Sequence, residues 1–388
     1  MVMLVIMVIG IAAMLVNSLS STALKNAHQQ QTSDALAQAK DALIGYAMTY
    51  GDTHPGQVHG YLPCPDNAGG NPEGTAEPVC GSKDISVIGR LPWATLDLPT
   101  LRDGSGECLW YAVSGTYKNS PKTSLMNWDT NGQFQVYASD DTLLSTDPNN
   151  QVVAVIFAPG AALNGQDRSG TTAPVCSGNY TVTNYLENDT VHGIDNTNIA
   201  AGKFIQGISG SIVNDQMVFI TRQDIWNAIL KRNDFKSTSP NNTLNNMSLA
   251  AATCLASNGS PQQFNPFYNS GINGWIPSAS TLKGYNSTCN TLSNTWYYWW
   301  LNWNDHLFYD ANSPSVNTLS YDSVVIFANQ KLPGQTRRNA FPVNYLEGSN
   351  LTSFITGSSV YQMSSSSSTF NDILFCITDT SSTAILCP

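Results

Sequence analysis

Charge is what this 388-residue chain has least of: Asp, Glu, Lys and Arg make up 11% of it, and the net balance is −10. With 17 basic residues against 27 acidic ones and no Lys/Arg cluster, a general basic surface for nucleic acid is excluded, and no nucleic-acid partner is expected. Catalytic signatures are missing too. The histidines His28, His54, His59, His192 and His306 are scattered, without His-x-x-x-His or His-Glu-x-x-His spacing, so metal-assisted hydrolysis has no ligand set. No Gly-x-Ser-x-Gly elbow, phosphate-cradling loop or dinucleotide fingerprint occurs, and Gly207-Ile208-Ser209-Gly210-Ser211 reads as a turn. No Cys-x-x-Cys pair exists, which argues against zinc. The reading is of a non-enzymatic chain without a cofactor.

Two further absences define the N-terminus. Met1 to Val16 carry no charged and no hydrogen-bonding side chain, and neither Gly nor Pro occurs between Ile11 and Ile44. One long helix is expected from Met1 to about Met48, roughly 70 Å at ~1.5 Å per residue and more than twice the thickness of a bilayer's hydrocarbon. Past Asn17, Ser18, Ser20 and Ser21 it becomes amphipathic, with Leu36, Leu43 and Ala47 on one face and Lys40 and Asp41 elsewhere. Burying the apolar side chains at ~1.5–3 kcal/mol each is worth tens of kcal/mol, so the segment needs permanent cover. Lipid can supply it, and so can copies of the segment itself, with Gly10, Ala12 and Ala13 allowing close helix approach. The first basic residue is Lys25, after the apolar run, so the positive flank of a signal peptide or conventional anchor is missing and Met1 reads as a terminus left by processing.

This pattern resembles the type IV pilin and pseudopilin superfamily, whose members have a cleaved basic leader, an apolar helix half and an amphipathic half. Members usually begin with an aromatic residue and carry Glu at the fifth position, where this chain has Met1 and Val5. That departure is similar to the atypical minor subunits, including the large tip pseudopilin. The resemblance implies filament-core packing through Met1, Leu4, Val5, Val8, Ile9, Gly10, Ala12, Ala13 and Val16. It also implies a prepilin peptidase, an assembly ATPase and a platform protein as partners, and an inner-membrane pool before assembly into a homo-polymer. Methylation of the terminal amine stays open. Further on, Leu62-Pro63-Cys64-Pro65, Leu91-Pro92-Trp93 and Trp110-Tyr111-Ala112-Val113 follow the Ile44-Gly45-Tyr46-Ala47 step. Their order over residues 1 to 222 resembles a group of proteobacterial prepilin-type proteins.

Eight cysteines in an exported chain read as disulfides, with buried free thiols as the alternative. Joining neighbours in sequence gives Cys64–Cys80, Cys108–Cys176, Cys254–Cys289 and Cys376–Cys387. Asp66-Asn67-Ala68-Gly69-Gly70-Asn71 and Asp129-Thr130-Asn131-Gly132-Gln133 read first as Asn/Gly turns, with calcium as the alternative, and neither satisfies an EF loop.

Strands are expected at Glu107–Ser114, Phe134–Ala138, Gln151–Ala158 and Gln216–Thr221. An internal echo follows. Val155-Ile156-Phe157-Ala158, Gly165-Gln166-Asp167-Arg168, Asn184-Tyr185-Leu186-Glu187 and Asn214-Asp215 return as Val325-Ile326-Phe327-Ala328, Gly334-Gln335-Thr336-Arg337, Asn344-Tyr345-Leu346-Glu347 and Asn371-Asp372. Leu109-Trp110-Tyr111 has a candidate partner in Leu307-Phe308-Tyr309. Recurrence of Arg168/Arg337 and Glu187/Glu347 points to a structural Arg–Glu contact in each copy. The aromatic run Trp296, Tyr297, Tyr298, Trp299 and Trp300, with Trp303, reads as a strand whose faces meet the core, another subunit or a ligand such as a sugar.

The expected fold is α+β: a long N-terminal helix (1–52) packed, lollipop-like, on the antiparallel sheet of a first module (53–234), then a second, related β-rich module (235–388). The expected function is a structural subunit of an extracellular, type IV pilus-like filament on the cell surface. The alternative is a minor or tip pseudopilin or adhesin of a type IV pilus or type II secretion system.

Overall fold

The computed structural model describes residues 2–68, 71–147, 151–207, 212–235, 241–257, 273–337, 341–378 and 383–388, with side chains from Thr22 onward and none at 273 and 383. The architecture is α+β with antiparallel sheets. Two compact units are formed, one by residues 1–47, 61–123 and 131–225, the other by 48–60, 124–130 and 226–388.

Helix α1 (Val2–Thr53) carries exposed side chains on every side from Thr22 to Gln31. Thr32, Ala35, Leu36, Ala39, Leu43 and Ala47 are then buried, at the three- and four-residue steps of one helix face, while Asp41 is exposed. In the first unit this face sits on the loop around Gly104, whose N–H donates to Thr32 Oγ1 at 2.9 Å. A Cβ on Gly104 would lie 2.2 Å from the His28 carbonyl oxygen, so only glycine permits this approach of backbone to backbone. Gln31 Nε2 donates to Asp103 O at 2.9 Å and Asn119 Nδ2 to Tyr46 Oη at 3.1 Å, and Lys40 lies 3.3 Å from Asp224.

The first unit then runs through β1 (Val87–Arg90), β2 (Trp110–Val113), β3 (Gln135–Tyr137) and β4 (Val152–Ala158). A short hairpin, β5 (Asn188–Asp189) and β6 (Ile194–Asp195), precedes β7 (Lys203–Ile205) and β8 (Gln216–Thr221), and the unit ends within helix α2 (Arg222–Leu230), whose residues from Trp226 belong to the second unit. Strands β2, β3, β4 and β8 fall where alternating or fully apolar runs bounded by turn residues placed them. The main sheet has the order β1-β2-β4-β8, antiparallel throughout, while β3 and β7 pair in parallel. All seven residues of β4 are buried, so both faces of the sheet are covered. Trp110, Ala112, Val155 and Phe157 pack with Phe134, Tyr185 and Phe204 on one face. Tyr111, Ala154 and Ile156 are as deeply buried on the other. Burial pushes the Tyr111 phenol up, and Tyr46 of α1 adds to the shift.

After α2 the second unit continues with α3 (Thr243–Ala256), capped by Asn242, whose side chain accepts from Asn245 N at 2.9 Å. Then follow β9 (Asn273–Trp275), α4 (Ala279–Tyr285), α5 (Ser287–Trp303), β10 (Leu307–Asp310), β11 (Ser315–Val316) and β12 (Leu319–Ser320). The chain ends with β13 (Ser323–Phe327), α6 (Gly348–Thr356), β14 (Val360–Tyr361), β15 (Ile373–Thr378) and β16 (Thr383–Leu386). Its main sheet is ordered β16-β15-β13-β10-β9, and β11 pairs in parallel with β14.

Strands β1-β2-β4-β8 of the first unit thus have counterparts in β9-β10-β13-β15 of the second, and the parallel pair β3–β7 in β11–β14; β16 is an addition. Register fixes the correspondence residue by residue. Trp110 faces Phe157, which faces Met217, and Phe308 faces Ile326, which faces Leu374. Phe157 is therefore matched by Ile326, so the likeness between Val155–Ala158 and Val325–Ala328 is displaced by one residue. A one-residue slip exchanges the two faces of a strand, and the core selects Ile326, which packs with Phe308 and Leu374. The Leu109-Trp110-Tyr111 and Leu307-Phe308-Tyr309 match is in register.

Candidate functional site

The aromatic run lies on a helix, not a strand. Asn286 caps α5 by accepting from Cys289 N at 2.7 Å, and the cap starts a helix that carries the run to Trp303. Trp299, Trp300 and Trp303 fall on its buried side, Trp296 and Tyr297 are half-buried, and Tyr298 is exposed. Trp300 Nε1 donates to Met247 O at 3.2 Å, tying α5 to α3. Strong β propensity in the aromatics is overridden by the cap and by the apolar side that helix packing needs.

The echoed polar residues converge on one buried arrangement in each unit. In the first, Glu187 accepts from Gln166 Nε2 at 2.7 Å and from Asn214 N at 3.0 Å. Asp215 is fully buried, and its Oδ2 accepts from Glu187 N at 3.1 Å and Asn196 Nδ2 at 2.9 Å. Its Oδ1 has no hydrogen-bond partner. Burial holds Asp215 well above the usual carboxylate range, the Glu187 charge adds to this, and burial also raises Glu187. Each carboxyl therefore disfavours the other's charge. The second unit repeats every part. Glu347 accepts from Gln335 Nε2 at 3.0 Å and Asn371 N at 3.1 Å, while Asp372 Oδ2 accepts from Glu347 N at 3.1 Å and Asn350 Nδ2 at 3.2 Å. Burial and then the Glu347 charge push Asp372 well up.

The expected Arg–Glu contact takes a different form. Arg168 pairs with Glu107 at 3.3 Å and reaches Glu187 only through Gln166, donating to Gln166 Oε1 at 2.7 Å. Its guanidinium lies 4.9 Å from the Tyr185 ring centre, and Arg337 lies 4.5 Å from that of Tyr345. Arg337 Nε is 3.6 Å from Asp129, and the same Asp129 carboxylate is 3.1 Å from His306 Nε2. His306 is fully buried, and its Nδ1 donates to Ala328 O at 2.7 Å. Neither Asn196, Asn350 nor the Asp129–His306 contact was readable beforehand. The two asparagines stand nine and twelve residues from the residues they clamp, Ile205 in β7 and Gln362 just after β14, so no short pattern marks them.

No protein-family model, curated protein or solved structure matches this chain. Its geometry alone must carry the reading. Disulfides join Cys64 to Cys80, Cys108 to Cys176, Cys254 to Cys289 and Cys376 to Cys387, which fits an oxidising or extracellular compartment. The positions expected to pack a filament core, Met1, Leu4, Val5, Val8, Ile9, Gly10, Ala12, Ala13 and Val16, lie outside the residues whose side chains are described. Among the described residues, no helix is long and apolar enough to cross a membrane. In the candidate calcium strings, Asp66 accepts from Gly74 N at 2.7 Å and Tyr180 Oη at 3.1 Å, Asp129 faces His306 and Arg337, and Asn131 accepts from Arg222 at 2.8 Å. These oxygens act in turns and ion pairs, and no group of three or more metal-binding side chains occurs among the described residues.

The second unit also holds a pocket of about 440 Å³. The buried rings of Trp128, Phe235 and Phe327 back it, and Asn245, Asn329 and Gln330 contribute amides.

Proposed function

We propose that this chain is a structural subunit of an extracellular, type IV pilus-like filament, polymerising through its N-terminal helix, with a membrane-held precursor. The observation that carries this reading is α1 from Thr22 to Gln31: a helix exposed on all sides, continuous in sequence with sixteen residues that must be covered. A bare rod of that kind needs copies of itself or lipid. Below it, Thr32 to Ala47 fix the rod to the first unit, so force on the rod passes into a folded body. The deeply buried His306 and the paired carboxyls support structural use of the polar groups over catalysis. Deletion of residues 1–16, followed by electron microscopy and circular dichroism, tests the reading. Loss of fibres with unchanged circular dichroism is expected; ordered fibres in unchanged yield would overturn it.

A minor or tip subunit is the second reading, favoured by the presence of a whole second unit. Labelling the second unit along purified fibres separates the two, because a tip subunit decorates ends and a main subunit decorates every repeat.

A further inference from the structure

The two units share a frame, so positions where they differ inside it are informative. Register makes Ala158, Gly160 and Ala161 of the first unit equivalent to Phe327, Asn329 and Gln330 of the second. The frame confirms this beyond the strands: Arg168 donates to Gly160 O at 2.7 Å and Arg337 to Asn329 O at 2.8 Å. Asn214 Nδ2 donates to Ala161 O at 2.8 Å and Asn371 Nδ2 to Gln330 O at 2.7 Å. The backbone contacts are thus the same in both units, while three small residues in one are an aromatic and two amides in the other. All three of those larger residues line the pocket of about 440 Å³.

That volume lies within the roughly 300–1,000 Å³ of small-molecule sites. Among the described residues the lining includes no Lys, Arg, His or Glu, and its acidic member, Asp372, is almost wholly buried, its Oδ2 accepting from Glu347 N and Asn350 Nδ2. The Asn329 Nδ2 can donate and the exposed Gln330 amide can donate and accept, which suits adjacent hydroxyl groups, while the buried rings of Trp128, Phe235 and Phe327 form an apolar backing behind them. Ser364 and Ser366 add exposed hydroxyls to the lining. We propose that the second unit binds a neutral saccharide in this pocket, a role the first unit lacks. The proposal is independent of the filament reading, since it concerns residues 124–130 and 226–388 alone.

The test uses the full chain and saturation-transfer NMR with lactose, cellobiose and chitobiose as neutral probes and sialyllactose as the charged counterpart of lactose. Saturation of at least one neutral probe is expected, with sialyllactose weaker than lactose. Ser366→Trp, at an exposed lining position, should abolish that binding, and Asn329→Ala should weaken it roughly two- to tenfold, the loss of one hydrogen bond. Both variants are checked by circular dichroism, and either one that stays folded suffices. No binding of any neutral probe, binding unchanged in the folded variants, or sialyllactose binding as well as lactose would each overturn the proposal.

Discussion

At the scale of single residues, the paired carboxyls make a definite claim about pH. Asp215, Glu187 and Asp372 all keep their protons to a higher pH in the folded chain than an unfolded carboxyl does, chiefly because they are buried. Between the ordinary carboxylate range and those raised values the folded state binds more protons than the unfolded one, so stability falls as pH rises through that window. Asp215→Asn should flatten the dependence, since its amide can donate to Glu187 where the proton sat while its oxygen still accepts from Glu187 N and Asn196. Urea midpoints at pH 5 and pH 8 measure this. The wild type should lose stability between them, Asp215→Asn should lose less, and adding Asp372→Asn should lose least. Equal slopes in all three would mean that neither aspartate keeps its proton above the ordinary carboxylate range. Much of this was half-visible: Glu187/Glu347 and Asp215/Asp372 stood out as echoes, yet their pairing needs Gln166 and Gln335 in place, and adjacency in three dimensions is not written in spacing.

At the scale of elements, what was legible follows from how local each cause is. The face of α1 could be read because helical periodicity and the missing Gly and Pro act within a few residues. Strand β4 could be read from a continuous apolar run before Pro159-Gly160. Helix α5 could not, because its aromatics favour strands and the deciding signal was one asparagine cap at Asn286. The seat of α1 was equally hidden: Gly104 looks like any loop glycine until His28 is beside it. Gly104→Val should force the helix off that loop and break the Thr32 hydrogen bond, costing about 1–3 kcal/mol as an overpacked contact does. Thermal unfolding gives the cost, and hydrogen exchange gives its place. Amides of residues 28–40 should lose protection first, and a change confined to the 101–107 loop would show that the helix is not seated there.

At the scale of the whole molecule, the repeated frame and the disulfides have different origins in the sequence. Cys108 occupies the position that is His306 in the second unit, and Cys376 the position that is Phe219 in the first. Each site is thus filled, in the other copy, by a ring that needs no covalent partner, so the frame does not depend on the bridge at either place. The bridges instead act by restricting the unfolded chain, and the restriction grows with the loop they close. Cys108–Cys176 are 68 residues apart and Cys376–Cys387 are 11 apart. Replacing both cysteines of the longer bridge by Ala should cost about 4 kcal/mol and those of the shorter bridge about 3 kcal/mol, on loop entropy alone. Urea unfolding of the two double variants measures both, with circular dichroism to show that each still folds. If either variant fails to fold, its bridge helps define the frame, and the equivalence of Cys108 with His306 or of Cys376 with Phe219 carries no structural meaning.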